Sequence, residues 1–343
     1  MYKTDTERRI LEDMFYAKPF FFSYSSLSKL LRSPAEFYKR YILKEKDDLT
    51  DTSMLEGRII HNLLLENGAF DDRFVIAQTS LPSANIKSVI DMVYNIYLLE
   101  KNALSDDIVP RTALGEFREE ILTQLKEIDL YQDLKSDDTR VAKVVNPKGL
   151  DYFDFLKEST GKTIIDASTY SRCVDITDKL KNHKVMELMG MHPQQNIGDG
   201  TVLTEIEIKH EDDNLPFGIK GVIDNLYVDR KNKVIYINDL KTTRTSLVNF
   251  PTMAIDFDYW IQAAMYERLV RAAVKDQVDS DYTYVFNFIV IDKYGQIYAF
   301  RVTEDTMANW QIDLQEKLHE AAYHYKNKDY SLPYKFLKTT ITL

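Results

Sequence analysis

The chain has 343 residues, 44% hydrophobic and 29% charged, an ordinary globular composition that suggests about two domains or one with an insertion. A single cysteine, Cys173, excludes an internal disulfide, a cysteine-based zinc site and an iron–sulfur cluster held by four cysteines of one chain. With 44 Lys and Arg against 54 Asp and Glu, the net charge of −10 argues against a polycation that coats nucleic acid, but not against an enzyme with a local basic path.

The opening MYKTDTERRILED is charged and has no apolar core, so it does not read as a secretory signal. No apolar run nears the ~18 residues a membrane span requires; residues 286–291 are apolar except for Asn287. The expectation is a cytoplasmic protein. Next, Ser25 or Ser26 can cap a helix carrying Leu27, Leu30 and Leu31. Ser33-Pro34-Ala35-Glu36 restarts a helix, with Ser33 as cap, Pro34 in the first turn and Glu36 in the reciprocal capping position. Phe37, Tyr38 and Tyr41 line its apolar side. Residues 29–46 hold six basic and two acidic side chains, whereas 47–56 hold four acids and no base. A further helix fits residues 55–66, where Gly57 and His61 share a face at i, i+4.

The middle of the chain is mainly helical. Ile86, Val89, Ile90, Val93, Ile96 and Tyr97 follow the 3.6-residue period, as do Phe117, Ile121, Leu125 and Ile128. Helices also fit 167–180 and 183–189. The pattern changes near Thr201, where TVLTEIEIKH alternates as a strand. FGIKGVIDNLYV and KVIYINDLKTT complete a three-stranded antiparallel meander. A helix over 256–273, the strands TYVFNFIVI and QIYAFRVT, and a last helix over 304–327 follow. The fold class is α/β (α+β), with helices covering a sheet. The division expected is an N-terminal helical part over 1–83, a helical insertion or layer over 84–195 and a core over 196–343, forming one compact domain.

The chemistry concentrates at Gly221-Val222-Ile223-Asp224 and Ile237-Asn238-Asp239-Leu240-Lys241. Two neighbouring strands each end in a carboxylate, and the period of 2 puts Asp239 and Lys241 on one face. Two carboxylates beside an ammonium can hold a divalent ion and a polarised water together, and hard oxygen ligands suit Mg²⁺. The bland alternative is an Asp–Lys pair on a solvated strand. Its weakness is that Asp224 and Asp239 both follow apolar runs, and buried carboxylates are costly without a cation. Glu205 or Glu207 can add a third carboxylate; they share parity, so spacing does not choose between them. Gln262 and Tyr266, at i, i+4 on the following helix, can reach the same place. Neutral His61 can ligate a metal.

These residues, in this order, resemble the PD-(D/E)xK nuclease superfamily, in particular its RecB-like branch and the RecE-like (exodeoxyribonuclease VIII-type) group. The resemblance rests on Ser23-Tyr24-Ser25-Ser26-Leu27 through Ser33-Pro34, on Gly57-x-x-x-His61-Asn62-Leu63-Leu64-Leu65-Glu66, and on Asp224. It continues with Asp239-Leu240-Lys241-Thr242-Thr243 and Gln262-x-x-x-Tyr266. It spans residues 20–270 and implies a restriction-endonuclease-like core with a mixed central sheet flanked by helices. The first aspartate stands in a Gly-x-x-Asp setting, the form more usual in the wider RecB-like branch.

The resemblance also implies roles. Asp224, Asp239 and the Leu240 carbonyl would hold Mg²⁺, or Mn²⁺ in its place, joined by His61 and Glu205. Lys241 would position the attacking water, supported by Gln262 and Tyr266. Ser25, Ser26, Lys29, Arg32, Lys39 and Arg40 would track the DNA backbone, while Phe20-Phe21-Phe22 either stack on bases or belong to the core. The implied activity is exonucleolytic hydrolysis of DNA in phage recombination, inside a bacterial host. A single-strand annealing protein would be the partner, and a homo-oligomer is compatible. The alternatives are a nuclease of the same fold acting on single strands, flaps or internal sites, and a non-catalytic DNA-binding module on that fold.

Overall fold

The computed structural model describes residues 4–45, 53–66, 68–77, 81–103, 111–275, 278 and 281–338. Lys46 and the acidic residues Asp47, Asp48 and Asp51 lie outside these. The chain forms two compact units, residues 1–67 with 173–343, and residues 68–172. The expected helical layer was drawn over 84–195; residues 173–195 instead belong with the first unit.

The first unit opens with α1 (Asp5–Tyr16), β1 (Phe21–Phe22), α2 (Tyr24–Arg32), α3 (Pro34–Phe37) and, after a π-helical turn at Tyr38–Ile42, α4 (Ser53–Leu65). The cap of α2 is Ser23, not Ser25 or Ser26. Its side chain accepts from the Ser26 N–H and the Ser26 hydroxyl accepts from the Ser23 N–H, closing a capping box two to three residues earlier than expected. Ser33 makes no side-chain cap for α3; its backbone N–H closes α2 on the Lys29 carbonyl, so it is not open to the reciprocal bond expected from Glu36.

The second unit contains α5 (Phe70–Arg73), β2 (Phe74–Ile76), α6 (Ala84–Ala103), α7 (Arg118–Glu127), α8 (Asp137–Val144), α9 (Pro147–Glu158) and β3 (Thr163–Ile165). The apolar stripe of α6 buries Val89, Ile90 and Val93 with Phe117, Ile121, Leu125 and Phe153, as its periodicity requires. The parallel pairing of β2 with β3 is not in the sequence reading; strands of three residues are too short to show alternation. Next, α10 (Ala167–Lys181) runs across the boundary between the units.

The first unit resumes with β4 (Thr201–Glu211), β5 (Gly218–Asp229), β6 (Val234–Thr242), α11 (Phe250–Asp256), α12 (Tyr259–Val274), β7 (Thr283–Ile291), β8 (Ile297–Arg301), α13 (Glu304–Asn327) and α14 (Tyr334–Lys338). The six-stranded sheet is mixed. Its order is β1-β5-β6-β7-β8, with β4 also on β5. The β4–β5–β6 meander is antiparallel as expected, and β7 lies parallel to β6 after the α11–α12 crossover.

One face of the sheet, with Ile223, Ile235 and Ile237, shares its core with Leu27 and Leu30 of α2, Ala264, Met265 and Leu269 of α12, and Leu314 and Leu318 of α13. Helix α12 lies close because Gly221 has no side chain; a Cβ there would meet Tyr266 Cε1 at 2.7 Å. Phe22 is fully buried in this core, and Phe20 packs edge-on against it and against Phe37. The phenylalanine run therefore serves packing.

Candidate active site

Three carboxylates share one rung of the sheet. Thr204 pairs with Asn225 and Ile206 with Ile223, so Glu205 on β4 stands opposite Asp224 on β5. The β5–β6 ladder ends at the Asn225–Asn238 pair, and Asp224 and Asp239 are the next residue on each strand beyond it. The ladder does not close at this rung on either edge. Instead the Leu240 N–H donates to Asp224 Oδ2 at 2.7 Å. Glu205 adopts a left-handed backbone (φ 51°), rare for a non-glycine residue and unusual inside a strand. That local twist separates the two glutamates that parity could not. Glu205 Oε1 comes within 3.6 Å of His61 Nδ1, whereas Glu207 is exposed and pairs with Lys209 at 3.1 Å.

His61 reaches the rung from above because α4 is tied down on both sides of it. A Cβ on Gly57 would sit 2.7 Å from Thr242 Oγ1 of β6, so only glycine allows this approach. Two turns on, the Thr204 hydroxyl of β4 donates to the Leu65 carbonyl at 2.9 Å. Between these anchors, His61 Nε2 is 2.8 Å from the Leu240 carbonyl and 3.8 Å from Asp224 Oδ2. His61, Glu205 and Asp224 bring their ligand atoms within 4.8 Å of one another. Glu205 Oε1 is buried without a hydrogen bond.

Asp239 is fully buried and engaged separately. Lys241 Nζ lies 2.7 Å from its Oδ2, and Gln262 Nε2 donates to its Oδ1 at 2.8 Å. Gln262 also donates to the Tyr266 hydroxyl at 3.0 Å, and the Lys241 ammonium sits 4.9 Å over the Tyr259 ring. The expected ligand set thus divides into a three-residue cluster and an Asp239–Lys241 pair. The Leu240 carbonyl is already bonded to His61.

Crowded buried charge moves the acids and bases of the site. Burial, and then the charge of Asp239, raise the Asp224 carboxyl to about 7. Burial opposes a charged His61, but Glu205, Asp224 and the Leu240 carbonyl outweigh it and push the ring up to about 9. Burial likewise opposes the Lys241 ammonium, and Asp239 and Asp224 more than restore it. Burial first, then both aspartates, hold the Tyr266 hydroxyl protonated.

The residues assigned to the DNA backbone scatter in role. Ser26 is buried, its hydroxyl used in the cap of α2, so that assignment is withdrawn. Lys29 pairs with Glu36 at 3.2 Å, and Arg32 with Asp258 at 2.8 Å. Ser25, Lys39 and Arg40 are exposed.

Sequence reasoning missed a second polar row one rung away. Asn225, Asn238 and Asn287 are buried on adjacent strands. Asn238 donates to Asn225 at 2.7 Å and Asn287 to Asn238 at 2.9 Å, while Asn225 and Asn238 also donate to the Met189 and Leu188 carbonyls. The signal was available. Asp224-Asn225 and Asn238-Asp239 are mirrored dipeptides, and antiparallel pairing sets carboxylates on one face and amides on the other.

No curated protein matches the chain in sequence. A solved structure from Eubacterium rectale, described as a "Putative exonuclease", aligns over 100% of this chain and 96% of its own, at 11% identity and a TM-score of 0.43. Likeness at that level carries no argument about activity. The family model of the PD-(D/E)XK nuclease superfamily matches residues 99–331, which include Glu205, Asp224, Asp239, Lys241, Gln262 and Tyr266 but not His61. By that match, over more than half its length, the chain belongs to the PD-(D/E)XK nuclease superfamily.

Proposed function

We propose that the protein is a Mg²⁺-dependent exodeoxyribonuclease of the RecE-like or RecB-like kind, with Mn²⁺ able to substitute. The observation that carries this reading is the open acidic rung: Glu205 Oε1 is buried without a hydrogen bond, 3.6 Å from His61 Nδ1, and the Asp239–Lys241 pair stands near it with Lys241 partly buried. Orphaned buried carboxylates are costly, and a dication is the partner their chemistry fits. Asp224, Glu205 and His61 would hold it, with Asp239 and the Leu240 carbonyl at the edge of the cluster. When bound, it supplies Lewis acidity that acidifies water and neutralises charge on the scissile phosphate.

The protein's own groups do the positioning. The Lys241 ammonium, fixed by Asp239 and the Tyr259 ring, orients the attacking water and carries positive charge toward the phosphate. Gln262 and Tyr266 keep Asp239 in place. Among the groups assigned to the phosphate backbone, Ser25, Lys39 and Arg40 are exposed and are proposed to lie along it. On this reading the product is a single-stranded tail of the kind an annealing protein takes up in phage recombination.

The test is digestion of end-labelled linear DNA with Mg²⁺ and with EDTA, by wild type and Asp239→Ala. Loss of cleavage in EDTA and in the variant is expected. Equal cleavage in every arm, or none in any, refutes the proposal. Covalently closed circles and linear single strands run alongside separate end-dependent from internal cutting.

A further inference from the structure

Three side chains on one stripe of α2 grasp the turn that launches α12. Tyr24, Ser28 and Arg32 are spaced i, i+4, i+8 along one helix face. The Tyr24 hydroxyl donates to the Phe257 carbonyl, the Ser28 hydroxyl to Asp258 Oδ2 at 3.4 Å, and Arg32 Nε to the same oxygen at 2.8 Å. Arg32 also donates to the Asp256 carbonyl. Three successive residues of the turn are therefore held by donors from one helix.

The turn needs holding. Asp258 is left-handed (φ 57°, ψ 33°), a conformation unfavourable for a residue with a Cβ. It occupies the N-cap of α12, yet its carboxylate caps nothing there and faces Arg32 instead. Aspartate is among the strongest N-caps, so its diversion to α2 gives up a local gain for a distant contact. The residues that follow reach the chemistry directly. Tyr259 lies under the Lys241 ammonium and meets the Tyr24 ring edge-on at 6.4 Å, and Gln262 holds Asp239.

We propose that Arg32, with Tyr24 and Ser28, is a positioning residue. It fixes the entry of α12, and through Tyr259 and Gln262 sets where Lys241 and Asp239 stand, rather than contacting the DNA phosphates. The inference rests on the nuclease reading for its activity readout, but not for its structural one.

The experiment compares wild type, Arg32→Ala, Asp258→Ala, the double variant and the milder Tyr24→Phe. Steady-state cleavage of linear duplex with Mg²⁺ is followed alongside amide hydrogen exchange over 261–266. Arg32→Ala and Asp258→Ala are expected to lower kcat by a similar factor, about 10–100-fold, with KM nearly unchanged. The double variant is expected to be no worse than either single. Exchange over 261–266 quickens in both, while protection elsewhere in the chain is kept. Tyr24→Phe, which leaves the charge pair intact, shows the same pattern at about fivefold. If Asp258→Ala keeps wild-type kcat while Arg32→Ala only raises KM and flattens the salt dependence, Arg32 is a phosphate contact and the inference falls. Unchanged exchange over 261–266 overturns it as well. If wild type cuts nothing, the nuclease reading fails alone, and exchange still decides the clamp.

Discussion

Two adjacent rungs of one sheet treat buried polarity in opposite ways. Along Thr204, Asn225, Asn238 and Asn287 the strands pair without interruption, and the amides chain donor to acceptor. Along Glu205, Asp224 and Asp239 the ladder is open, and like charges meet in a buried setting. The first rung is satisfied by its own chain except at Asn287 Oδ1, which is buried without a partner, and it carries no charge; it reads as structure. The second is satisfied only in part by its own chain, and that deficit points to a ligand from outside. The two should therefore fail differently when mutated.

The largest expected effect is on the acidic rung. Asp224→Asn keeps an acceptor for the Leu240 N–H but loses the charge. Cleavage is expected to fall by ~100-fold or more, since groups that stabilise transition-state charge each contribute on that scale. Stability should move the other way. The folded Asp224 carboxyl is raised from 3.8 to about 7, so its charged form is penalised only in the fold. The penalty is absent below about pH 4, grows through about 7 and is complete above that. Asp224→Asn should therefore be more stable than wild type at pH 8 without metal, by an amount on the order of a few kcal/mol, and no more stable at pH 4. Urea unfolding at the two pH values, with EDTA, checks both. A destabilised variant at pH 8 would remove the contrast between the rungs.

The amide rung should show loss of stability before loss of chemistry. Asn238→Leu strands Asn225 Oδ1, the Asn287 amide and the Leu188 carbonyl. The expected cost is about 2–4 kcal/mol by denaturant unfolding, because buried groups lose partners without gaining water. Cleavage per folded molecule should fall far less than in Asp224→Asn. A neutral Asn238→Leu would mean that the row is incidental to the sheet.

Proton linkage sharpens the comparison next. His61 is raised to about 9 and Asp224 to about 7, so the metal-free fold retains protons that a dication must expel. Apparent Mg²⁺ affinity is expected to rise with pH through about 7 and on toward 9. Calorimetry in two buffers of different ionisation enthalpy should register proton release near neutrality. Affinity independent of pH would place the ion away from these two groups.

How much of this the sequence discloses depends on range. The meander and the last helix are legible because alternation and the helical period are local; α13 spans Glu304–Asn327, the bounds expected of it. The rung itself follows from two mirrored dipeptides once antiparallel pairing is assumed. What stays hidden depends on distant partners or on one backbone angle. Arg32 looks like a free cation until Asp258, 226 residues away, is placed beside it. The cap of α2 falls on Ser23 because Ser23 and Ser26 close a reciprocal box, a choice that a run of serines does not reveal.

Glu205 and Glu207 supply the narrowest test, because they share strand, charge and parity. Only the left-handed φ of Glu205 separates them. It carries that carboxylate toward His61 and leaves Glu207 in solvent beside Lys209. Glu205→Gln keeps size and polarity while removing one negative charge from the cluster. Mg²⁺ affinity should drop by roughly 10-fold, in line with the loss of one supporting group at a metal site. Glu207→Gln loses an exposed ion pair of small worth, so affinity and stability should stay near wild type. Calorimetric titration of the two variants side by side decides the matter. Equal losses would mean that net charge on β4, rather than the twist at Glu205, governs binding, and equal indifference would leave Asp224 and His61 to hold the ion without a third acid from β4.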